Sequence, residues 1–381
     1  MTPFSLDRLR RRPDLDTPEL VAVDAADRLL LDTSAERLRL PGDIATINDA
    51  YGALTLGAAH LSGRSGIRAF QDGVVHERAL ALNAADQGLQ GTYRSLALDA
   101  GLLDGVSTVL LRLPRSLEEL DEIAWTIAAH ARPDVVVLAA GRIKHMSLSM
   151  NAILGRHFGD VTAGLARQKA RVLTASAPRP VGASSFPRRA RHDVGLARPL
   201  ELLAYGATFG GPALDPGTRL LLPHLRRLRP FPTHAAATVD VVDLGCGNGA
   251  IAAFLALTHP DLRVLATDQS ASATASAAAT AAANGVADRI TVSRDDALSA
   301  LPDASARLIV LNPPFHLGST VHAGVAHRLF DACARVLAPG GELITVWNSH
   351  LRYRPVLERV IGTTRQLDRS SRFTVTASTR R

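Results

Sequence analysis

The sequence predicts an α/β protein built from two tandem Rossmann-like domains, each a mostly parallel sheet covered by helices. Short apolar runs of strand length alternate with helical stretches along the chain, which is the pattern of βα units. The chain has 381 residues, which is long for one domain and sufficient for two. We expect a first domain at residues 1–175, a linker at 176–195 and a second domain at 196–381.

The bulk composition is that of a globular protein, with 46% hydrophobic and 21% charged residues. Charged residues or glycine interrupt each apolar run well before the ~20 residues of a membrane span, so no membrane association is expected. Cys246 and Cys333 are too few for a disulfide framework or a cysteine zinc site, which favours a cytoplasmic location. A net charge of +7, carried almost entirely by arginine, favours a nucleic-acid partner without establishing one.

The first half contains the apolar runs of a complete α/β unit. We predict strands at Ile44–Ile47, Val109–Leu113 and Val135–Ala139, and a helix over Leu117–Ala131 with one apolar face. A nucleotide-binding glycine loop would follow the first strand, but Gly52 stands alone where such a loop needs two or three glycines. Periodicity alone does not distinguish a decayed cofactor-binding unit from an unrelated α/β domain.

The stretch Ser176–Gly195 is rich in proline, glycine and serine, which predicts a linker. It also carries three clustered arginines, Arg188, Arg189 and Arg191. A solvated loop is the simplest interpretation of them. Contacts to phosphates are the alternative if the two domains form a cleft.

The second half contains a cofactor loop. A strand over Val239–Leu244 leads into Gly245-Cys246-Gly247-Asn248-Gly249, and a helix over Ala250–Leu257 follows. Glycines let the backbone approach a ligand closely, and the free N–H groups of the helix start can bind a carboxylate. Asp243 precedes the loop. The nicotinamide pattern Gly-x-Gly-x-x-Gly is absent because residue 250 is alanine.

Carboxylates follow the next two predicted strands. Asp268 comes after Arg263–Thr267, about 20 residues beyond the loop, where an acidic residue can bind both hydroxyls of a ribose. An alanine-rich helix and a strand at Ile290–Ser293 lead to Asp295 and Asp296. We expect one of these two to meet the amino group of an adenine, and the other to be a cap or a solvated charge.

The most specific motif is Asn312-Pro313-Pro314-Phe315, which directly follows the predicted strand Leu308–Leu311. Two prolines end the strand, which leaves Asn312 at the carboxyl edge of the sheet, where open α/β folds bind ligands. The Asn312 amide offers a donor and an acceptor, the Pro313 carbonyl accepts, and the Phe315 ring can stack on a flat partner. The motif therefore predicts a site for a planar group that bears an exocyclic amine. A helix over His322–Leu337, a strand over Glu342–Trp347 and a terminal hairpin complete the domain.

Asn-Pro-Pro-Phe after an apolar strand resembles the catalytic motif of amino-group methyltransferases that use S-adenosylmethionine. Together with Asp295–Ser299, Leu113–Leu117 and Lys144-His145, it makes almost the whole chain similar to the bacterial ribosomal RNA guanine-N2 methyltransferases, closer to the large-subunit enzyme. The resemblance implies a silent first methyltransferase-type domain with a degenerate cofactor loop and a second, class I S-adenosylmethionine-dependent domain. It implies ribosomal RNA or a ribosomal subunit as the partner, favours a monomer and requires no metal. The implied catalytic residues are Asn312, Pro313 and Phe315, and the implied cofactor-binding residues are Asp243, Gly245, Gly247, Asn248, Gly249, Asp268, Asp295, Asp296 and Asn312.

Two other functions remain open from the sequence. A protein-glutamine N5 methyltransferase would act on a similar planar –NH2, but such enzymes usually carry tyrosine at the position of Phe315 and a small helical first domain. A non-catalytic RNA-binding or ribosome assembly factor would explain a decayed first loop. The glycine loop at Gly245–Gly249 and Asn312 argue against that second alternative.

Overall fold

The structure is a computed structural model that describes residues 4–14, 20–228, 238–313 and 322–381. Pro314 and Phe315 of the Asn-Pro-Pro-Phe motif therefore lie outside the described residues. The chain divides into two compact units, Met1–Phe186 and Pro187–Arg381. No helix in the described part of the chain is both long enough and apolar enough to span a membrane.

In its described residues the first unit contains seven strands and six α-helices. Its strands are β1 (Asp43–Ile47), β2 (Ile67–Phe70), β3 (Tyr93–Ser95), β4 (Val106–Arg112), β5 (Val136–Arg142), β6 (Phe158–Ala163) and β7 (Ala170–Pro178). Its helices are α1 (Ala25–Leu38), α2 (Ala53–Ser62), α3 (Val74–Asp86), α4 (Ala100–Leu103), α5 (Leu117–His130) and α6 (Leu148–His157).

The strands of the first unit form one sheet in the order β3-β2-β1-β4-β5-β7-β6. The first five are parallel, and β7 pairs antiparallel with both β5 and β6. Strand β4 is buried along nearly its whole length, as expected for a central strand with helices on both faces. The strands predicted near Ile44, Val109 and Val135 are all present.

The second unit contains nine strands and five helices in the described residues. Its strands are β8 (Arg188–His192), β9 (Leu200–Ala204), β10 (Val239–Leu244), β11 (Val264–Asp268), β12 (Ile290–Arg294), β13 (Ala306–Leu311), β14 (Leu337–Asn348), β15 (Thr364–Arg369) and β16 (Phe373–Thr379). Its helices are α7 (Pro216–Leu225), α8 (Ala250–Thr258), α9 (Ala271–Ala283), α10 (His322–Val336) and α11 (Arg354–Val360).

The main sheet of the second unit has the order β12-β11-β10-β13-β14-β16-β15, which repeats the strand order of the first unit. Strands β15 and β16 form the predicted terminal hairpin. The prediction of two tandem Rossmann-like domains is confirmed. In both sheets the order reverses beside the first strand of the unit, β1 or β10, and ligands of such folds bind in the crevice at this point.

The predicted linker 176–195 differs from the structure at both ends. Strand β7 continues to Pro178, and Arg188–His192 forms strand β8, which pairs antiparallel with β9. Glu201 on β9 forms ion pairs with Arg189 and Arg191. These arginines therefore lie on a strand of the second unit, and the division between the units falls at residues 186 and 187.

The central strands of the second unit hold the site in place through burial. Val241 on β10 and both Leu308 and Val310 on β13 are completely buried. They pack with the apolar residues of α8 in one core, and each such side chain contributes about 1.5–3 kcal/mol. The residues that follow β10 and β13 are therefore attached to a rigid edge of the sheet.

Candidate active site

The glycine loop Gly245–Gly249 joins β10 to α8 and lies at the switch point of the second sheet. Gly249 has a φ of 77°, and a Cβ there would lie 2.8 Å from the backbone Cα of Ala277. Only glycine fits this position, because it combines a left-handed conformation with the close approach of α9. The loop thus takes its shape from the packing of α8 against α9.

Asp243 is completely buried behind this loop. Its Oδ2 accepts a hydrogen bond from the backbone N–H of Ala252 at 3.0 Å, in the first turn of α8. Burial raises the pKa of Asp243 to about 7, and the negative charge of Asp268 contributes to the increase. Asp243 therefore supports the loop from inside the unit and does not line the cleft in front of it.

Asp268, the last residue of β11, fixes the front of the loop. Its carboxylate accepts hydrogen bonds from the backbone N–H groups of Gly247, at 3.1 Å, and Ser270, at 3.0 Å. The Nδ2 group of Asn248 donates to the carbonyls of Gly211 and Ala213, which ties the loop to the segment before α7. Asn248 acts on the loop through the backbone of that segment.

Asp295 and Asp296 are both buried beside the loop. Asp295 accepts hydrogen bonds from the N–H of Ala300 at 3.0 Å and from the hydroxyl of Ser299, so it caps the turn that follows β12. Asp296 forms a bidentate ion pair with Arg328 on α10. The charge of Asp296 is thus paired with Arg328. The sequence had left open that one of these two aspartates is a solvated charge.

Asn312 directly follows β13 and is held by two residues from the start of α7. Its Nδ2 donates to Asp215 Oδ1 at 2.9 Å and to Thr218 Oγ1 at 3.0 Å. A carboxylate only accepts hydrogen bonds, so the nitrogen of the amide must face Asp215. The Asn312 Oδ1 is then the atom that remains, and it is buried without a partner in the described part of the chain.

These residues meet in one cleft of about 430 Å³. Eight predicted site residues line it: Gly245, Gly247, Asn248, Asp268, Asp295, Asp296, Asn312 and Pro313. Asp243 and Gly249 lie behind the loop, and Phe315 lies outside the described residues. Other residues of the lining include Phe209, Asp215, Thr218 and Arg328, none of which the sequence predicted as a site residue. Asp215-Pro216 is a helix-start pattern and indicates α7. The contact of Asp215 with Asn312 spans 97 residues, so no local sequence pattern reveals it.

The first unit keeps the left-handed first and last residues of the same loop and fills the loop with its own side chains. Residues 48–52 join β1 to α2, and Asn48 and Gly52 have φ angles of 62° and 91°, close to the 72° and 77° of Gly245 and Gly249. Asp49 accepts hydrogen bonds from the N–H groups of Gly52 and Thr55, where a ligand would otherwise meet the helix start.

Strand register identifies the first-unit counterparts of the site residues. Leu244 pairs with Thr267 and Leu311, and Ile47 pairs with Phe70 and Leu111, so Gln71 corresponds to Asp268 and Arg112 to Asn312. Gln71 donates to the backbone of the loop, and Arg112 pairs with Asp24 and Asp27. The first unit therefore has no carboxylate at the position of Asp268 and no amide at the position of Asn312.

Comparison with known proteins agrees with this division. The family model for the RLMG N-terminal domain matches residues 1–179, and that for the methyltransferase small domain matches residues 199–377. The ribosomal RNA large subunit methyltransferase G of Pseudomonas putida (strain W619) is 34% identical over 378 residues, 98% of this chain and 97% of its own. The chain belongs to the ribosomal RNA large subunit methyltransferase G family.

A relative of the same name in Streptomyces coelicolor is 33% identical and is covered over 98% of both chains. Membership of the methyltransferase G family confirms the resemblance to the large-subunit enzymes and the expected class, a methyltransferase that depends on S-adenosylmethionine. A T. thermophilus 16S rRNA N2 methyltransferase, solved in complex with AdoMet and guanosine, is 23% identical with a TM-score of 0.72 over 94% of this chain and 92% of its own. This likeness shows that the chain shares its two-domain fold.

Proposed function

We propose that this protein transfers a methyl group from S-adenosylmethionine to the exocyclic N2 amine of a guanine in large-subunit ribosomal RNA. The observation that carries the proposal is the Asn312 amide: its nitrogen is held by Asp215 and Thr218, and its oxygen is buried without a partner among the described residues. A buried acceptor without a donor is costly, and an amine of the acceptor base supplies the missing donor.

The residues around the glycine loop fit the cofactor. S-adenosylmethionine supplies an electrophilic methyl group, so the protein has no need of a nucleophilic side chain. Asp268 at the end of β11 would bind the ribose hydroxyls, and the N–H groups at the start of α8 would bind the carboxylate of the amino acid part. Asp295 or Asp296, both buried in the lining of the cleft, would bind the amino group of the adenine.

Asn312 and Pro313 orient the acceptor amine. The Asn312 Oδ1 and the Pro313 carbonyl accept the two hydrogens of the amine, which directs the nitrogen lone pair away from them. Both oxygens carry partial negative charge and stabilise the amine as it becomes positive, so orientation and electrostatics supply most of the rate. The guanine has to leave its helix first, which costs a few kcal/mol, and stacking returns about 1–3 kcal/mol per base. Phe315, or Phe209 with its 67% exposed side chain in the cleft, provides the ring.

The two rival functions are less compatible with the structure. Protein-glutamine methyltransferases usually have a small helical first domain, whereas this first unit contains a seven-stranded sheet and matches the RLMG N-terminal model. A non-catalytic assembly factor would not require an oriented amide at Asn312. The first unit provides the comparison, because it no longer has an amide at the equivalent position. There the equivalent position is Arg112, bound to two carboxylates.

Nucleoside mass spectrometry of ribosomal RNA tests this function. We expect a strain without the gene to lose one N2-methylguanosine from the large-subunit RNA. The purified protein should restore this methylation in RNA isolated from the deletion strain. Full methylation in the deletion strain, or loss from the small-subunit RNA instead, would contradict the proposed substrate.

A basic cluster at the carboxyl edge of the first sheet provides a second contact with RNA. Lys144 and His145 follow β5, and Arg115 follows β4; all three are exposed. The pKa of His145 is lowered by desolvation and by the positive charges of Arg115, Lys144 and Arg142, so these groups lie together. Arg189 and Arg191, in contrast, are already paired with Glu201. The cluster around Lys144 is therefore the better candidate for phosphate contacts in the first unit.

Reversing the charge of this cluster should weaken RNA binding and reduce its salt dependence. Each phosphate contact contributes about 0.7–0.9 to the slope of log affinity against log salt, so Arg115→Glu with Lys144→Glu should flatten the slope by about 1.4–1.8. Arg132→Glu is a matched control, because Arg132 lies at the opposite edge of the same sheet and pairs with Asp134. Equal slopes for the double variant and the wild type in filter-binding titrations would refute the role of the cluster.

A further inference from the structure

The start of α7 contacts the Asn312 amide through two side chains that are three residues apart. Asp215 is the N-cap of α7, and its Oδ1 accepts from the N–H of Thr218 at 2.9 Å. The same Oδ1 accepts from Asn312 Nδ2, and the Thr218 hydroxyl lies 3.0 Å from that nitrogen. The cap of a helix and the acceptor amide of the active site therefore share one carboxylate oxygen.

The position of this carboxylate is rigid. Helix α7 places Leu221, Leu222 and Leu225 in the core of the second unit, and Thr218 itself is buried. Helix capping by aspartate fixes the side-chain rotamer, since its oxygen must reach the N–H three residues later. Asn312 follows a strand that is buried at every residue except Arg307, so neither partner in the contact can move without disturbing the core.

We propose that Asp215 and Thr218 are positioning residues that lock the Asn312 amide with its oxygen toward the acceptor amine, and that the Asp215 charge polarises this amide. The proposal rests on the function proposed above. With Nδ2 bound to Asp215 and Thr218, rotating the amide by 180° would place its oxygen against a carboxylate, which is strongly unfavourable. A carboxylate bound to one end of an amide also increases the negative charge on the oxygen at the other end. The Asn312 Oδ1 thereby becomes a stronger acceptor as positive charge develops on the amine.

A pair of Thr218 variants separates positioning from packing. Thr218→Val keeps the size of the side chain and the N–H bound to Asp215, but removes the hydroxyl that faces Asn312. We expect kcat to fall about 10-fold, because one of the two N–H bonds of the buried Asn312 amide loses its acceptor. The matched variant Thr218→Ser keeps the hydroxyl and should stay within about 3-fold of the wild type. Equal kcat values for the two variants would refute the role of Thr218.

Exchanging the two groups tests the charged contact. Asn312→Asp alone places a second carboxylate against Asp215, at a contact that is now 2.9 Å long, and should lower kcat about 10²-fold. Adding Asp215→Asn removes this repulsion: the oxygen of the new amide keeps the cap on the Thr218 N–H, since asparagine caps helices as well as aspartate does, and its nitrogen donates to the carboxylate at position 312. We expect the double variant to recover at least about 10-fold over Asn312→Asp alone. A double variant no faster than Asn312→Asp would overturn the proposal, since a contact that positions residue 312 must recover when its charge repulsion is removed.

Two further measurements distinguish the possible failures. The first is the affinity for S-adenosylhomocysteine, measured by calorimetry. It should stay within about 3-fold of the wild type in all variants, because Asp215 and Thr218 contact Asn312 and not the cofactor. A large loss of affinity in Asp215→Asn would show that Asp215 acts on the cofactor instead. Wild-type protein that leaves guanine N2 unmethylated in the same assay would refute the proposed function. An active wild type without rescue refutes only the positioning role.

Discussion

Replacing Asn312 with alanine is expected to lower the rate of methyl transfer by about 10²–10³-fold, the usual cost of removing one oriented polar group from a reaction centre. The methyl group is activated by the cofactor, so the protein contributes chiefly the placement of the acceptor amine. Alanine removes the acceptor oxygen at this place and also leaves Asp215 and Thr218 without the donor they share. Single-turnover assays with unmethylated large-subunit RNA measure the loss.

Cofactor affinity should change little in the same variant, since the Asn312 Nδ2 is bound to protein groups and its Oδ1 is assigned to the amine. Calorimetry with S-adenosylhomocysteine checks this expectation. Asn348→Ala is a matched control, because Asn348 ends β14 in the same unit and lies outside the lining of the cleft. A variant without Asn312 that keeps most of its activity would show that the amine is held in another way.

The fold could be predicted because its signals are local. Strand β10 is a short, largely apolar run that ends before Gly245, and β13 is another, followed by Asn312 and Pro313. Strand β8 escaped prediction because Arg188–His192 is charged and pairs only with β9, in a separate two-stranded sheet. Such a strand has no apolar alternation to reveal it.

The site was only partly predictable, because a motif shows residue types and not their partners. Asn312 and Asp268 could be assigned from their places after strands. The carboxylate that holds Asn312 lies 97 residues away and is recognisable in the sequence only as a helix cap. Asp243 has the residue type of a ligand, yet its side chain is completely buried and binds the N–H of Ala252. Tertiary packing decides between these roles, and sequence spacing does not.

The repeated fold raises the question of how many cofactors the chain binds. Residues at equivalent strand positions of the two sheets can be compared to address it. Leu244 and Ile47 occupy the same place in the two sheets, so Asp268 and Gln71 follow equivalent strand ends. Asp268 faces the cleft of the second unit, whereas the Gln71 amide donates to the carbonyls of Asp49 and His76 inside the first. A glutamine bound in this way presents no carboxylate to a ribose.

We therefore expect one S-adenosylmethionine per chain, with an affinity that depends on Asp268. Asp268→Ala removes the carboxylate that we propose accepts from two ribose hydroxyls, and it releases the N–H groups of Gly247 and Ser270. Hydrogen bonds to charged groups contribute about 1.5–3 kcal/mol each, so the dissociation constant should rise at least about 10²-fold. Gln71→Ala is the matched change in the first unit and should leave both the affinity and the stoichiometry as they are. Calorimetric titration of the full chain measures both, and a second bound cofactor, or wild-type affinity in Asp268→Ala, would contradict the assignment of a single site to the second unit.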